Sequence, residues 1–93
     1  MYYVYVLQSL RDSNLYFGYT ADLKKRVELH NSGKVKSTKN RRPFVLIYYE
    51  AYAHKLDAAK REYEIKKGQQ REIIKKRLKY SLKIWQIAFG GVA

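Results

Sequence analysis

From Tyr3 to Gln8 the side chains alternate, with Tyr3, Tyr5 and Leu7 on one face and Val4, Val6 and Gln8 on the other. A two-residue period rich in β-branched and aromatic residues predicts a strand. The polar run Arg11-Asp12-Ser13-Asn14 predicts a turn, and Leu15 to Thr20 a second strand, so the pair reads as a β-hairpin. A helix is expected from about Ala21 to Ser32, with Thr20 as a possible N-cap, Asp22 in the first turn and Gly33 as the stop. Lys34 to Arg42 is polar and basic, which predicts a loop, and Pro43 ends it. The nearly continuous apolar run Phe44 to Tyr49 then predicts a strand covered on both faces.

A second helix is expected from His54 to Lys67, closed by Gly68. A third starts near Gln70 and extends to Ala88. On its wheel Ile73, Arg77, Tyr80, Ile84, Ile87 and Ala88 share one side, and Lys75, Lys79 and Lys83 line the other. The order ββαβαα predicts an α+β fold: one domain over residues 1–89, with a frayed tail at 90–93. Apart from the tail, no repeat, low-complexity stretch or linker interrupts it.

A charge on a helix normally faces water, so the informative ones fall inside apolar arcs. With Leu56 as origin, Lys60, Arg61, Glu64 and Lys67 occupy the polar side of the second helix. Glu62 lies at about 240°, amid Ala58, Ala59 and Ile65. It is suited either to an internal ion pair, with Lys66 or an arginine from elsewhere, or to binding a hard cation such as Mg²⁺. In the first helix Arg26 and His30 are spaced i, i+4 beside the stripe of Leu23 and Val27, so they point the same way. Tyr5 and Tyr16 fall side by side on the sheet if the hairpin register permits. Gly18 within a strand marks a close approach of ligand or backbone.

Composition adds a partner. The chain of 93 residues has 20 Lys plus Arg against 8 Asp plus Glu, a formal charge of +12, which suits a polyanion. Ten of its aromatic residues are Tyr, more than packing alone explains. The absence of cysteine excludes a disulfide framework, a thiolate zinc site and a thiol nucleophile. The first residues carry no basic leader pattern, and no apolar run approaches the roughly 18 residues that span a bilayer. A cytoplasmic protein without membrane contact is expected, nucleoid-associated in a bacterium.

Tyr3-Val4-Tyr5, then Tyr16-Phe17-Gly18, Thr20, Leu23-Lys24-Lys25-Arg26, His30-Asn31, Pro43 and Ala58-Ala59-Lys60-Arg61-Glu62 occur in that order. Together they resemble the GIY-YIG nuclease domain, and in particular its small stand-alone bacterial members, over about residues 2–78. The resemblance implies a three-stranded antiparallel sheet flanked by helices, and Mg²⁺-dependent hydrolysis of phosphodiester bonds, with Mn²⁺ able to substitute. It gives Tyr5, Tyr16, Arg26, His30 and Glu62 catalytic positions, and makes Glu62 the single metal-binding carboxylate. A phenol of pKa about 10 is largely un-ionised at neutral pH, so as general base it needs nearby positive charge. Tyr16 is favoured as the phenol nearest the attacking water, with Tyr5 its partner. Departures are Tyr3 for the leading Gly, Phe17 for Ile, Tyr19 where excision-repair members carry Lys, and no Asn after Asn40.

On this reading the loop Lys34, Lys36, Lys39, Arg41 and Arg42 and the stripe Lys75, Lys79 and Lys83 track phosphates, most readily of DNA. Such contacts give affinity without sequence preference. A structure-directed endonuclease in repair, recombination or related DNA processing is expected. The alternative is a non-catalytic or partner-dependent nucleic-acid-binding module. The apolar end of the third helix, with Trp85, suits a homodimer or protein-partner contact.

Overall fold

The computed structural model describes residues 1–85. Three strands, β1 (Tyr2–Ser9), β2 (Leu15–Thr20) and β3 (Phe44–Tyr52), form one antiparallel sheet in the order β2-β1-β3. Around it lie α1 (Leu23–Asn31), α2 (Lys55–Ile65), α3 (Gly68–Arg77) and α4 (Lys79–Trp85). The expected α+β fold and its element order are present, with the C-terminal helix divided in two.

Strand placement departs from expectation. The apolar run of β3 lies at an edge of the sheet and is mostly half-buried, with Tyr49 exposed. The alternating strand β1 is central, and every residue from Val4 to Ser9 is buried. A central strand in a sheet with helices on both faces needs both faces apolar, and the Tyr5 and Leu7 face meets that need as well as the Val4 and Val6 face. Register fixes the rest: Tyr5 pairs with Gly18, Leu7 with Tyr16, and the ladder to β3 shifts between Val6 and Leu7 so that Ile47 is the extra residue.

Two cores result, one on each face. Val4, Val6, Leu15 and Phe17 pack with Ala58 and Ile65 of α2 and with Ile74 and Leu78. On the other face Tyr5, Leu7 and Phe44 pack beneath Leu23 and Val27 of α1. Helix ends follow side-chain capping. Asp22, not Thr20, caps α1, accepting from the Lys25 backbone N–H at 3.1 Å, while Thr20 Oγ1 accepts from the N–H of Asp22. His54 caps α2 through Nδ1, which accepts from the Leu56 N–H. Gly33 takes φ +79 just past α1, as a C-terminal stop requires. Gly68, expected to close α2, instead opens α3 at φ +41.

The wheel of the third helix is also corrected. Ile74 is fully buried and Leu78 nearly so, whereas Ile73 and Tyr80 are 44 % and 72 % exposed. The buried stripe runs Ile74, Leu78, Leu82 at i, i+4 spacing, one position out of phase with the expected face. The helix breaks at Leu78, whose backbone leaves helical geometry, so Lys75 and Lys79 lie on different helices. The expected extension to Ala88, the tail at 90–93 and the side chains of Lys83 and Trp85 lie outside what is described.

Candidate active site

The site starts from a missing side chain. Gly18 stands opposite Tyr5 on the edge strand β2, and a Cβ there would lie 2.5 Å from the Tyr5 hydroxyl and 2.6 Å from Cζ. The hydroxyl end of the Tyr5 ring therefore occupies the space over Gly18. The expected close approach at this glycine is made by the chain's own phenol. Tyr16 is diagonal to Tyr5 rather than directly opposite, with ring centroids 6.4 Å apart, and is half-buried while Tyr5 is 1 % exposed.

Helix α1 delivers Arg26 and His30 to the same hydroxyl from one face, as their spacing requires. Arg26 Nε donates to Tyr5 Oη at 3.4 Å, and Tyr5 Oη lies 2.9 Å from His30 Nε2. The His30 ring is fully buried among Tyr5, Tyr16 and Phe44, edge-on to each, with Tyr16 nearest at 4.9 Å between centroids. Burial, reinforced by the Arg26 charge, pushes its pKa down to about 4, so the imidazole is neutral at pH 7. Burial is also the largest influence on Tyr5 and raises its pKa. The Arg26 hydrogen bond opposes the rise, and the charges of Tyr16 and Glu62 add to it.

Glu62 comes from α2, on the opposite face of the sheet, yet its charge is felt at Tyr5. Its side chain is 20 % exposed and pairs with Lys66 at 3.3 Å. Of the two alternatives foreseen for Glu62, the internal ion pair with Lys66 is the one present. Half-exposed Lys66 releases it at little cost, since such i, i+4 pairs contribute only about 0.3–0.5 kcal/mol. No cluster of three metal-ligating side chains occurs among the described residues. A Mg²⁺ ion, which commonly binds one or two carboxylates and otherwise water and phosphate oxygens, fits a lone Glu62.

The basic residues divide. Lys34, Lys36, Lys39 and Arg42 are exposed, within a segment tightened by a 3₁₀ turn at Lys39–Arg41. Arg42 lies over Gly33 and donates to the Lys39 carbonyl. Arg41 is held by Asp12 at 2.7 Å, and Lys75 meets Glu72 at 3.5 Å. Arg41 and Lys75 nevertheless line one cleft of about 360 Å³ with Asn14, Leu15 and Arg71. Arg71, missed in the sequence, stacks on the Phe17 ring at 5.1 Å and has no carboxylate partner among the described residues. Lys79 lies on the next helix over the exposed ring of Tyr80.

Three further side chains support the site. Asn31 clamps the α1 end to β3, donating to the Phe44 carbonyl at 3.0 Å and accepting from its N–H at 2.6 Å. Thr38, inside the basic loop, is fully buried with its hydroxyl 2.8 Å from His30 Nδ1. Glu50 of β3 accepts from Tyr48, Tyr52 and both forks of Arg61, which fastens α2, the carrier of Glu62, to the sheet. Burial alone would raise the Glu50 pKa, but these hydrogen bonds outweigh it and hold it at about 2.

Comparisons with known proteins agree with this fold. The family model described as the GIY-YIG catalytic domain matches residues 1–79. A UPF0213 protein of Staphylococcus haemolyticus is 48 % identical over 66 residues, covering 70 % of this chain and 79 % of that relative. One from Staphylococcus epidermidis is 50 % identical over the same coverage. The solution NMR structure of a UPF0213 protein from Bacillus halodurans, 38 % identical, superposes with a TM-score of 0.50 over 80 % of this chain and 82 % of that one. With the family's domain matched across most of its length, and the two tyrosine motifs meeting at a single hydroxyl, the chain belongs to the GIY-YIG family.

Proposed function

We propose that the protein is a divalent-metal-dependent endonuclease that hydrolyses phosphodiester bonds in DNA, directed by structure more than by sequence, in repair, recombination or related processing. Membership of a nuclease family gives the reaction class. The observation that supports the chemistry is the hydrogen-bonded line from Arg26 through Tyr5 to His30.

In the proposed reaction a water oxygen bonds to phosphorus as the bond from phosphorus to the leaving oxygen breaks. The water proton passes to the Tyr5 oxygen while the Tyr5 proton passes to His30 Nε2, and the leaving oxygen takes a proton from solvent. His30 is neutral and offers a free ring nitrogen for that proton. Burial and Arg26 oppose its charging, so the proton is held only briefly, and Arg26 stabilises the charge growing on the phosphate. The hydrogen bonds favour Tyr5 over Tyr16 as the general base, because Tyr5 has a proton acceptor already in place. Tyr16, half-buried against His30, shapes the site's solvent side. Glu62 would hold Mg²⁺, which supplies charge neutralisation at a non-bridging oxygen. Arg41, Arg71 and Lys75, with Lys34, Lys36, Lys39 and Arg42, would hold the phosphate backbone.

The test incubates duplex, branched and single-stranded oligonucleotides with Mg²⁺ or Mn²⁺. Glu62→Ala, Arg26→Ala and Tyr5→Phe are each expected to reduce cleavage at least about a hundredfold with binding retained. Cleavage that survives all three would refute the assignment. Binding without cleavage by the wild type would leave a nucleic-acid-binding module.

A further inference from the structure

A loop as basic as Lys34 to Arg42 should stand in solvent, yet Thr38 at its centre is completely buried. Its neighbours Ser37 and Lys39 are exposed. The backbone around it is fastened, with the Thr38 N–H donating to the Val35 carbonyl at 3.1 Å and the Arg41 N–H donating to the Thr38 carbonyl at 2.9 Å. Its hydroxyl has two neighbours, His30 Nδ1 at 2.8 Å and the Val35 carbonyl at 3.4 Å.

Counting protons decides which way these bonds run. A threonine hydroxyl has one proton to give, and a neutral imidazole has one N–H and one lone pair. Suppose the hydroxyl donated to Nδ1. His30 would then carry its proton on Nε2 and donate it to Tyr5, whose oxygen already accepts from Arg26. The Tyr5 proton would then have no protein acceptor among the described residues and could turn only to the water from which Tyr5 is to take a proton. In the reverse arrangement Thr38 donates to Val35 and His30 Nδ1–H donates to Thr38. Tyr5 O–H donates to Nε2, and Arg26 donates to Tyr5, so every proton has an acceptor.

We propose that Thr38 is a positioning residue that fixes His30 as its Nδ1–H tautomer, leaving Nε2 as the acceptor for the Tyr5 proton. Thr38 touches no reacting atom and acts through the imidazole. It also belongs to the loop that carries Lys34, Lys36, Lys39, Arg41 and Arg42, so the segment offered to phosphates also holds the proton acceptor. The proposal builds on the relay given under the proposed function, but the tautomer can be read without any cleavage.

The experiment records imidazole ¹⁵N shifts of His30 in the wild type, Thr38→Val and Thr38→Ser. His54→Asn removes the chain's only other histidine signal while keeping a residue able to cap α2. The wild type and Thr38→Ser are expected to show protonated Nδ1, and Thr38→Val a shift toward protonated Nε2. In parallel, cleavage by Thr38→Val should lose about a hundredfold in kcat with little change in KM, and Thr38→Ser should restore most of it. Protonated Nε2 in the wild type, or an unchanged tautomer in a folded Thr38→Val, would overturn the proposal. A wild type with protonated Nδ1 that cuts nothing would instead refute the nuclease reading and leave the role of Thr38 standing.

Discussion

Replacing Glu50 by Gln should remove most of the stability that the wild type loses as pH falls from 4.5 toward 2. The carboxylate accepts from Arg61 at 2.8 and 3.2 Å, from Tyr48 at 2.6 Å and from Tyr52 at 2.5 Å, in a side chain only 16 % exposed. Its pKa falls from 4.5 to about 2 on folding. At about 1.36 kcal/mol per unit this makes the ionised group worth about 3 kcal/mol to the fold. Because the folded value is depressed, that stability is complete above pH 4.5 and is lost as pH falls toward 2. His30 acts in an adjoining window: its pKa falls from 6.5 to about 4, so folding must exclude its proton. That contribution is complete above pH 6.5 and is lost as pH falls to 4. Urea unfolding of wild type and Glu50→Gln at half-unit intervals from pH 7.5 to 2.5 reads both. The two proteins should lose stability together from pH 6.5 to about 4.5, after which the wild type should fall more steeply. For a domain of total stability about 5–15 kcal/mol, a difference of about 3 kcal/mol accumulated between pH 4.5 and 2 is large. Parallel curves through pH 4.5 to 2.5 would refute the reasoning, because they would mean that the Glu50 network does not hold its proton off.

Two further outcomes follow from packing. Gly18→Ala should keep the fold, destabilise it by about 1–3 kcal/mol as overpacking does, and displace the Tyr5 hydroxyl from Arg26 and His30; thermal denaturation and an oligonucleotide cleavage assay check the two effects. Ile74→Ala should cost about 2–5 kcal/mol and Ile73→Ala less than about 1 kcal/mol, and equal costs in chemical denaturation would restore the wheel face centred on Ile73.

Much of the frame was legible because local rules governed it. Alternation marks β1, the polar turn marks the hairpin, and the polar and apolar arcs of α2 single out Glu62. The i, i+4 spacing of Arg26 and His30 sufficed to aim both at one hydroxyl. What escaped depends on non-local packing. Thr38 is a small polar residue in a basic loop, and nothing near it in sequence reveals that the loop folds back onto a buried imidazole. The run Phe44 to Tyr49 has the chemistry of a two-sided strand, but strand order is set by the hairpin and by which strand the helices cover. In α3 the adjacent isoleucines 73 and 74 make two phases equally apolar, and the break at Leu78 carries neither Gly nor Pro to announce it. Tyr5 and Tyr16 could not be ranked from sequence, since the hydrogen bonds that distinguish them come from residues up to 25 positions away.

The glycine opposite Tyr5 changes what the family signature means. Its two halves, usually treated as separate landmarks, describe one lock and its key: the second motif ends in a vacancy cut to the shape of the first motif's ring. The two positions constrain each other, because a side chain gained at 18 would push the hydroxyl end of the aromatic at 5 out of its place. A remote relative is therefore better sought by the pair than by either word. A chain that keeps the tyrosine and loses the glycine has kept the letters of the signature without its geometry.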